Sequence, residues 1–179
     1  DHSRYIVDNL ASLVALRCGT LVLFSSRRQM EGVFDELSND LQKQILIQGQ
    51  YSNREMIRLH KERIDQGKTS VLLGLASFAE GVDLPGDYCR HVVIAKLPFA
   101  VPDEPLQEAL AEWIEDRGGN SFFDISLPVA SLRLIQACGR LLRTESDSGT
   151  VTILDKRLIT KRYGAQLLNA LPPFRREIG

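Results

Sequence analysis

Five short apolar runs constrain this chain more than anything else in it. Leu21-Val22-Leu23-Phe24, Ile45-Leu46-Ile47, Val71-Leu72-Leu73, Val92-Val93-Ile94 and Val151-Thr152-Ile153-Leu154 are almost unbroken by polar residues and rich in β-branched ones. A strand with one wet face alternates apolar and polar residues, whereas an unbroken run belongs to a strand covered on both faces, as in a parallel sheet. Helical spacing fills the intervals. Tyr5 to Arg17 carries Ile6, Leu10, Leu13 and Val14, and Gln29 to Leu37 carries Met30, Val33, Phe34 and Leu37. Asn53 is placed to cap a helix running to about Asp65 and stopped by Gly67. Further helices are expected over Pro105 to Asp116, Val129 to Leu142 and Ile159 to Leu168. Strands alternating with helices make βαβ units with right-handed crossovers. The expected fold is α/β, a doubly wound parallel sheet with helices on both faces, in a single domain spanning 1–179. Residues 97–128 interrupt the rhythm with four prolines, Gly118-Gly119 and an acidic helix. They are expected to form an excursion from the sheet within the same domain.

Composition excludes several classes. A chain of 179 residues that is 44% hydrophobic and 25% charged can bury a core of its own and is not a disordered tail. No stretch approaches the roughly 20 apolar residues of a spanning helix, and neither an initiator Met nor an apolar leader precedes Asp1. The expectation is a cytoplasmic protein, met here as an excised part. Cys18, Cys89 and Cys138 are widely spaced and have no CxxC pattern, so they are read as core residues and not as a disulfide or metal framework. His2, His60 and His91 are equally scattered and are read as structural or solvated. The net charge of −1 conceals segments of about +1, −7 and +5, divided near Gly74 and Ala130, which suggests faces with different partners.

The most specific stretch is Gln136-Ala137-Cys138-Gly139-Arg140-Leu141-Leu142-Arg143, a Q-x-x-G-R-x-x-R pattern. On a helix, positions i, i+4 and i+7 fall within roughly 60° of one another, so Gln136, Arg140 and Arg143 would share one polar edge with Gly139 beside it. Two guanidinium groups suit a transferring phosphoryl group, whose charge spreads over several oxygens in the transition state. An ordinary surface stripe of paired arginines is the alternative.

Three motifs now carry a family resemblance. Q-x-x-G-R-x-x-R resembles motif VI of superfamily 2 helicases. Ser77-Phe78-Ala79-Glu80-Gly81-Val82-Asp83 resembles motif V of their DinG/XPD group, and Thr20-Leu21-Val22-Leu23-Phe24-Ser25-Ser26 resembles motif IV. Their order and spacing fit, and the likeness to the bacterial DinG branch continues through Asp155-Lys156-Arg157-Leu158 to Pro172-Pro173. The resemblance implies the second RecA-like motor lobe of an ATP-dependent DNA helicase, with a first lobe absent from this chain.

The residues of these motifs also make sense alone. Motif V follows a strand at the carboxyl edge, where ligands bind in open α/β sheets. There Gly81 permits a tight turn, and Glu80 and Asp83 can accept hydrogen bonds or cap the next element. Asp83 is expected on the nucleotide side, with Gly81, Glu80 and Gly139 near it, and Ser77 and Glu80 between nucleotide and strand. Ser25 and Ser26 stand where a helix begins, so they are N-cap candidates; with Arg28 and Gln48 they also offer a phosphate hydroxyls, backbone N–H groups and charge. Ser25, Ser26, Arg28, Gln48 and Ser77 are the expected contacts to single-stranded DNA, and Gln136, Arg140 and Arg143 the expected catalytic set.

No G-x-x-x-x-G-K-[ST] loop and no D-E-x-H segment occurs, so nothing here cradles the β- and γ-phosphates or holds Mg²⁺. The family places both in the first lobe, together with four cysteines that ligate a 4Fe-4S cluster. ATP and Mg²⁺ are therefore expected to be held mainly by that lobe, and this chain alone is expected not to hydrolyse ATP. The resemblance further implies 5′-to-3′ movement, forked DNA or R-loops as substrates, and the first lobe as partner. Two rivals remain: a non-catalytic RecA-like binding or scaffolding module, and a small-molecule enzyme on a Rossmann-like sheet. The second lacks the glycine-rich turn it needs after the first strand.

Overall fold

The structure, a computed structural model, describes residues 1–99, 105–140 and 148–179. Two compact units make up the chain. The first comprises Asp1–Lys96 with Gln136–Asp155, and the second Leu97–Ile135 with Lys156–Gly179.

The first unit contains a five-stranded sheet. Strands β1 (Gly19–Phe24), β2 (Ile45–Ile47), β3 (Ser70–Leu75), β4 (His91–Ile94) and β5 (Thr150–Ile153) lie in the order β2-β3-β1-β4-β5, and every pairing is parallel. The expected α/β fold is borne out, with all five apolar runs in place. β1 is buried throughout, as a central strand between two layers must be.

Side-chain alternation distributes the core. On one face Val22, Phe24, Val71, Leu73 and Val93 pack with Ile6 and Leu10 of α1 (His2–Leu13) and with Met30 and Val33 of α2 (Arg27–Glu36). The opposite face carries Leu21, Leu46 and Leu72, all essentially inaccessible to water. There α4 (Asn53–Asp65) runs alongside, and its buried His60 reaches Ser70 at the start of β3. Gly74 belongs to this face too. A Cβ at Gly74 would lie 2.5 Å from the ring of Phe78, so the ring occupies the place a side chain would take. Phe78 lies on α5 (Ala76–Glu80), a short helix that follows β3 directly.

The amino edge of the sheet is tied by imidazoles. His60 holds Ser70 Oγ at 2.8 Å and the Tyr88 carbonyl at 2.6 Å, and a Cβ at Gly19 would overlap that carbonyl and crowd His60 Nε2 at 2.6 Å. Burial pushes the His60 pKa down to about 4, so it stays neutral and bridges as a donor and an acceptor. His91 joins the Leu13 carbonyl at the end of α1 to Thr152 Oγ1, and burial lowers its pKa as well. His2 Nε2 meets the Ala95 carbonyl at 2.6 Å, so all three histidines have structural contacts. Cys89 and Cys138 are buried, with thiols pushed up to about 12 and about 11, which leaves neither nucleophilic at neutral pH.

Helix ends differ from the expected ones in instructive ways. α1 stops at Leu13, four residues before Arg17, because Ala15 N–H turns to Thr20 Oγ1 and Arg17 takes a left-handed conformation (φ 59°) with its N–H on Thr69 Oγ1. The cap of α4 is Ser52, whose extended backbone brings its Oγ to Glu55 N–H at 3.2 Å; Asn53 is already helical. α3 (Asn39–Gln42) is too short to show a periodicity.

The second unit contains α6 (Pro105–Asp116), a π-helical turn at Phe122–Ser126, the Leu127–Ile135 part of α7 (Leu127–Gly139), α8 (Arg157–Thr160) and α9 (Arg162–Ala170). The single helix expected over Ile159 to Leu168 is two, broken at Lys161, whose backbone is extended. Gly164 fits there because a Cβ would overlap the Leu158 carbonyl. Buried residues of this unit include Leu97, Leu127, Ala130, Leu134, Leu158 and Leu167.

Candidate functional site

Three neighbouring strands end side by side at the carboxyl edge of the first unit. Phe24 of β1 pairs with Leu75 of β3, and Ile47 of β2 pairs with Leu73. Ser25-Ser26, Ala76-Ser77 and Gln48-Gly49 therefore leave adjacent strand ends, which brings motif IV, motif V and the turn after β2 together. Ser25, Ser26, Arg28 and Ser77 are exposed and Gln48 is half-buried.

Ser26 and Gln48 each have a local structural reason. Ser26 is the N-cap of α2, with its hydroxyl 3.4 Å from Gln29 N–H, so the capping role is real and Ser25 precedes it. Gln48 does more than follow a strand. Its N–H donates to the Leu73 carbonyl at 2.8 Å, and its side-chain Oε1 accepts the Leu75 N–H at 2.8 Å, so a side-chain amide extends the β2-β3 ladder by one rung. Arg27 Nη1 donates to the Gln48 carbonyl at 3.3 Å and lies 3.8 Å from Glu31. The start of α2, the end of β2 and the entry to motif V are thus joined by Arg27, Gln48 and Leu75. That link is invisible in the sequence because its acceptors and donors are mostly backbone.

Motif V is the end of β3, then α5, then a turn. Glu80 and Asp83 are exposed, and Asp83 is engaged by another group. Gly81 closes α5 in a turn, with Val82 N–H on the Ala79 carbonyl at 3.3 Å, and its φ of −96° and ψ of 5° are open to residues other than glycine. A Cβ at Gly81 or at Gly139 would meet nothing within 4 Å.

Motif VI begins on α7 and leaves it. The helix ends at Gly139, with Gln136 exposed, and Arg140 stands in the following turn, its N–H on the Ala137 carbonyl at 3.2 Å. The expected edge is described from Gln136 as far as Arg140 in that turn, and Leu141, Leu142 and Arg143 lie outside the described residues. The half-buried Arg140 guanidinium reaches across to motif V. Nη1 donates to the Val82 carbonyl at 3.2 Å and Nη2 to the Glu80 carbonyl at 3.1 Å. The planar fork of a guanidinium presents two separate nitrogens to the two carbonyls in a fixed geometry, which the single nitrogen of an ammonium does not. Motif VI is thereby fastened to the turn that carries Gly81, at the C-terminal end of α5 where carbonyls lack helical partners.

The whole-chain comparison now decides the family. A family model described as helicase C-terminal domain matches residues 10–174. The chain belongs to the helicase C-terminal domain family. As a member, it is 47% identical over 176 residues to the ATP-dependent DNA helicase DinG of Photobacterium profundum, covering 97% of this chain and 25% of that protein. It is 45% identical over 156 residues to the ATP-dependent DNA helicase DinG of Escherichia coli, covering 87% of this chain and 22% of that one. This helicase C-terminal domain thus spans about a quarter of the length of the curated relatives it matches. Among solved structures it resembles an XPD helicase (TM-score 0.68, 21% identity, 94% of this chain and 30% of that one). It also resembles the C-terminal domain of the DEAD-box protein Dbp5 (TM-score 0.52, 15% identity, 95% and 76%). At these identities the structural likeness establishes the RecA-like fold. The resemblance of the chain to the C-terminal lobe of DinG-type helicases is borne out.

Among the described residues no group of His, Cys, Asp or Glu side chains could hold a metal ion. The donor sets for Mg²⁺ or an iron–sulfur cluster are thus not found in them. No helix among them is long and apolar enough to cross a membrane.

Proposed function

We propose that this chain is the second motor lobe of an ATP-dependent DNA helicase. It would supply the far side of an ATP site completed by a first lobe, and part of a single-stranded DNA track. The observation that carries this reading is the Arg140 fork on the Glu80 and Val82 carbonyls. It fastens the start of motif VI to motif V, which leaves the sheet beside the strand ends that carry the exposed hydroxyls of Ser25, Ser26 and Ser77. Arg140 serves as the clamp, and Arg143, three residues on, as the cation that meets the γ-phosphate when ATP draws the lobes together. Gln136, Gly139, Gly81, Glu80 and Asp83 line the nucleotide side; Ser25, Ser26, Arg28, Gln48 and Ser77 hold the strand. Closure on ATP and release after hydrolysis would alternate the grip on DNA. The 5′-to-3′ direction, the preference for forks or R-loops, the cytoplasmic location and the assignment of residues 97–128 as an excursion of one lobe extend the same family reading. No step is assigned to Mg²⁺ or to a cluster.

The test is Arg143→Ala in a full-length protein carrying this lobe. An arginine that acts only in the transition state is worth about 10³–10⁵ in kcat in other phosphoryl-transfer enzymes. Steady-state ATPase should fall by at least about 10²-fold, allowing for Arg140 nearby, with an unchanged melting temperature. A lowered melting temperature with intact turnover per folded molecule would make Arg143 a structural ion-pair partner and remove the catalytic assignment.

A further inference from the structure

An aromatic cluster in the second unit opens onto solvent through one ring. Phe99, Phe122 and Tyr163 touch pairwise, with centroids 5.3 Å apart for Phe99 and Phe122, 5.6 Å for Phe99 and Tyr163, and 5.1 Å for Phe122 and Tyr163. They come from positions distant in sequence and close a small satellite core. Phe123 is different. Among the described residues it packs against Phe122, at 5.3 Å and 89°, and is 52% exposed. Burial does not explain a ring placed there.

The backbone beneath Phe123 is held firmly. Asn120 Oδ1 accepts the N–H groups of both Phe122 and Phe123 at 3.1 and 3.2 Å, and its carbonyl accepts the Asp124 N–H at 2.9 Å. Asp124 Oδ2 returns to Asn120 N–H at 3.1 Å, and Glu115 Oε1 accepts both the N–H and the hydroxyl of Ser121. The carboxylates of Asp124 and Glu115 are thus engaged in shaping the turn. A ring fixed in advance loses little freedom when something stacks on it.

Cations flank the Phe99 and Tyr163 side of the cluster, although the segment that carries Phe123 is itself acidic. The Arg157 guanidinium lies 5.2 Å from the Phe99 ring centroid, and Lys156, Lys161 and Arg162 are exposed on or beside the two short helices that supply Arg157 and Tyr163. Residues 156–179 hold six Lys or Arg against one Glu. A flat, half-exposed ring packed on a cluster whose other side carries these cations suits a polyanion that presents flat apolar faces. Single-stranded DNA is such a partner, and stacking on aromatic rings is tolerant of base identity because every base has a π-face.

We propose that Phe123 is a base-stacking platform for single-stranded DNA, with Arg157 and the neighbouring lysines drawing in the phosphates. This rests on the reading that the chain binds single strands, and adds a contact outside the carboxyl-edge turns of the first unit.

The test measures fluorescence anisotropy of the whole 179-residue chain with an oligothymidylate strand and with an abasic strand of equal length. The parent chain should bind the oligothymidylate more tightly. Phe123→Ala should weaken that binding about 5- to 100-fold, the range for loss of one stacked base, and leave the abasic strand unaffected. Phe123→Leu keeps an apolar contact with Phe122 but offers no flat face, so it should behave like Phe123→Ala, whereas Phe123→Tyr should bind like the parent. Thermal melts of the same samples check folding. Equal affinity of the parent for both strands, or an equal effect of Phe123→Ala on both, would overturn the stacking proposal alone. Absence of binding to either strand by the folded parent would overturn the strand-binding reading and this proposal with it.

Discussion

Arg140→Ala separates a clamp from a finger. The Arg140 guanidinium makes two charge-assisted hydrogen bonds to motif V carbonyls, at 3.2 and 3.1 Å. Because Arg140 is half-buried, water competes for both, and each is worth the ordinary net value of about 0.5–1.5 kcal/mol and not the higher value of a fully buried charge. Removing both should cost about 1–3 kcal/mol, and with about 2–4 °C per kcal/mol for a chain of this size, the melting temperature should fall by about 2–12 °C. Arg140→Lys should recover less than half of the loss, since one ammonium cannot reach both carbonyls in fork geometry. Gln136→Ala, one turn earlier and exposed, should stay within about 0.5 kcal/mol of the parent. Differential scanning fluorimetry with urea titrations on the 179-residue chain gives these numbers without nucleotide. An unchanged melting temperature for Arg140→Ala, or full recovery by lysine, would refute the clamp. The outcome also decides how turnover is read: loss of ATPase in an Arg140 variant would include a displaced motif V.

Acid should weaken the first unit through its buried imidazoles. The folded pKa of His60 is depressed to about 4 from an unfolded value of 6.5, so the unfolded chain takes up a proton first as pH falls, and the neutral-imidazole contribution is lost from about pH 6.5 down to about 4. Between about pH 7.5 and about pH 5 this amounts to about 2 kcal/mol by linkage; urea unfolding at the two values should show the drop, and a His60→Gln chain that falls just as far would discount it. On the carboxyl edge, Arg28→Ala should weaken single-strand binding severalfold while Arg54→Ala, in the first turn of solvated α4, should not; equal losses in a titration would count against the placement of the track.

The sheet was legible because strands buried on both faces leave an unmistakable record: runs such as Val71-Leu72-Leu73 admit few other readings. Elements of four or five residues left none. α5 lies wholly inside motif V, and the residues that suggested chemistry there concealed a helix whose one buried ring, Phe78, fills the space above Gly74. The partners of Arg140 were equally hidden, since carbonyls at positions 80 and 82 look the same whatever side chains they carry. Gln48 was picked out for a phosphate and is also found bridging strands, because an amide after a strand can serve either purpose. The cluster of Phe99, Phe122 and Tyr163 is assembled from residues up to 64 positions apart, and no spacing rule joins them.

His60 has a consequence for how this sheet can change. It gathers the beginnings of β1, β3 and β4 around one neutral ring: Gly19 has no room for a methyl group, Ser70 supplies a hydroxyl, and Tyr88 lends a carbonyl three residues before β4. Three strands are thereby moored at their origins by one buried side chain, while the links at their far tips run largely to backbone groups. At the far tips the exposed Ser25, Arg28 and Ser77 can exchange side chains, and with them the ligands they suit, at little expense to the fold, whereas Phe78, Ala79 and Val82 beside them are buried and cannot. The mooring itself tolerates almost no exchange. Adaptability and permanence lie at opposite ends of the same strands.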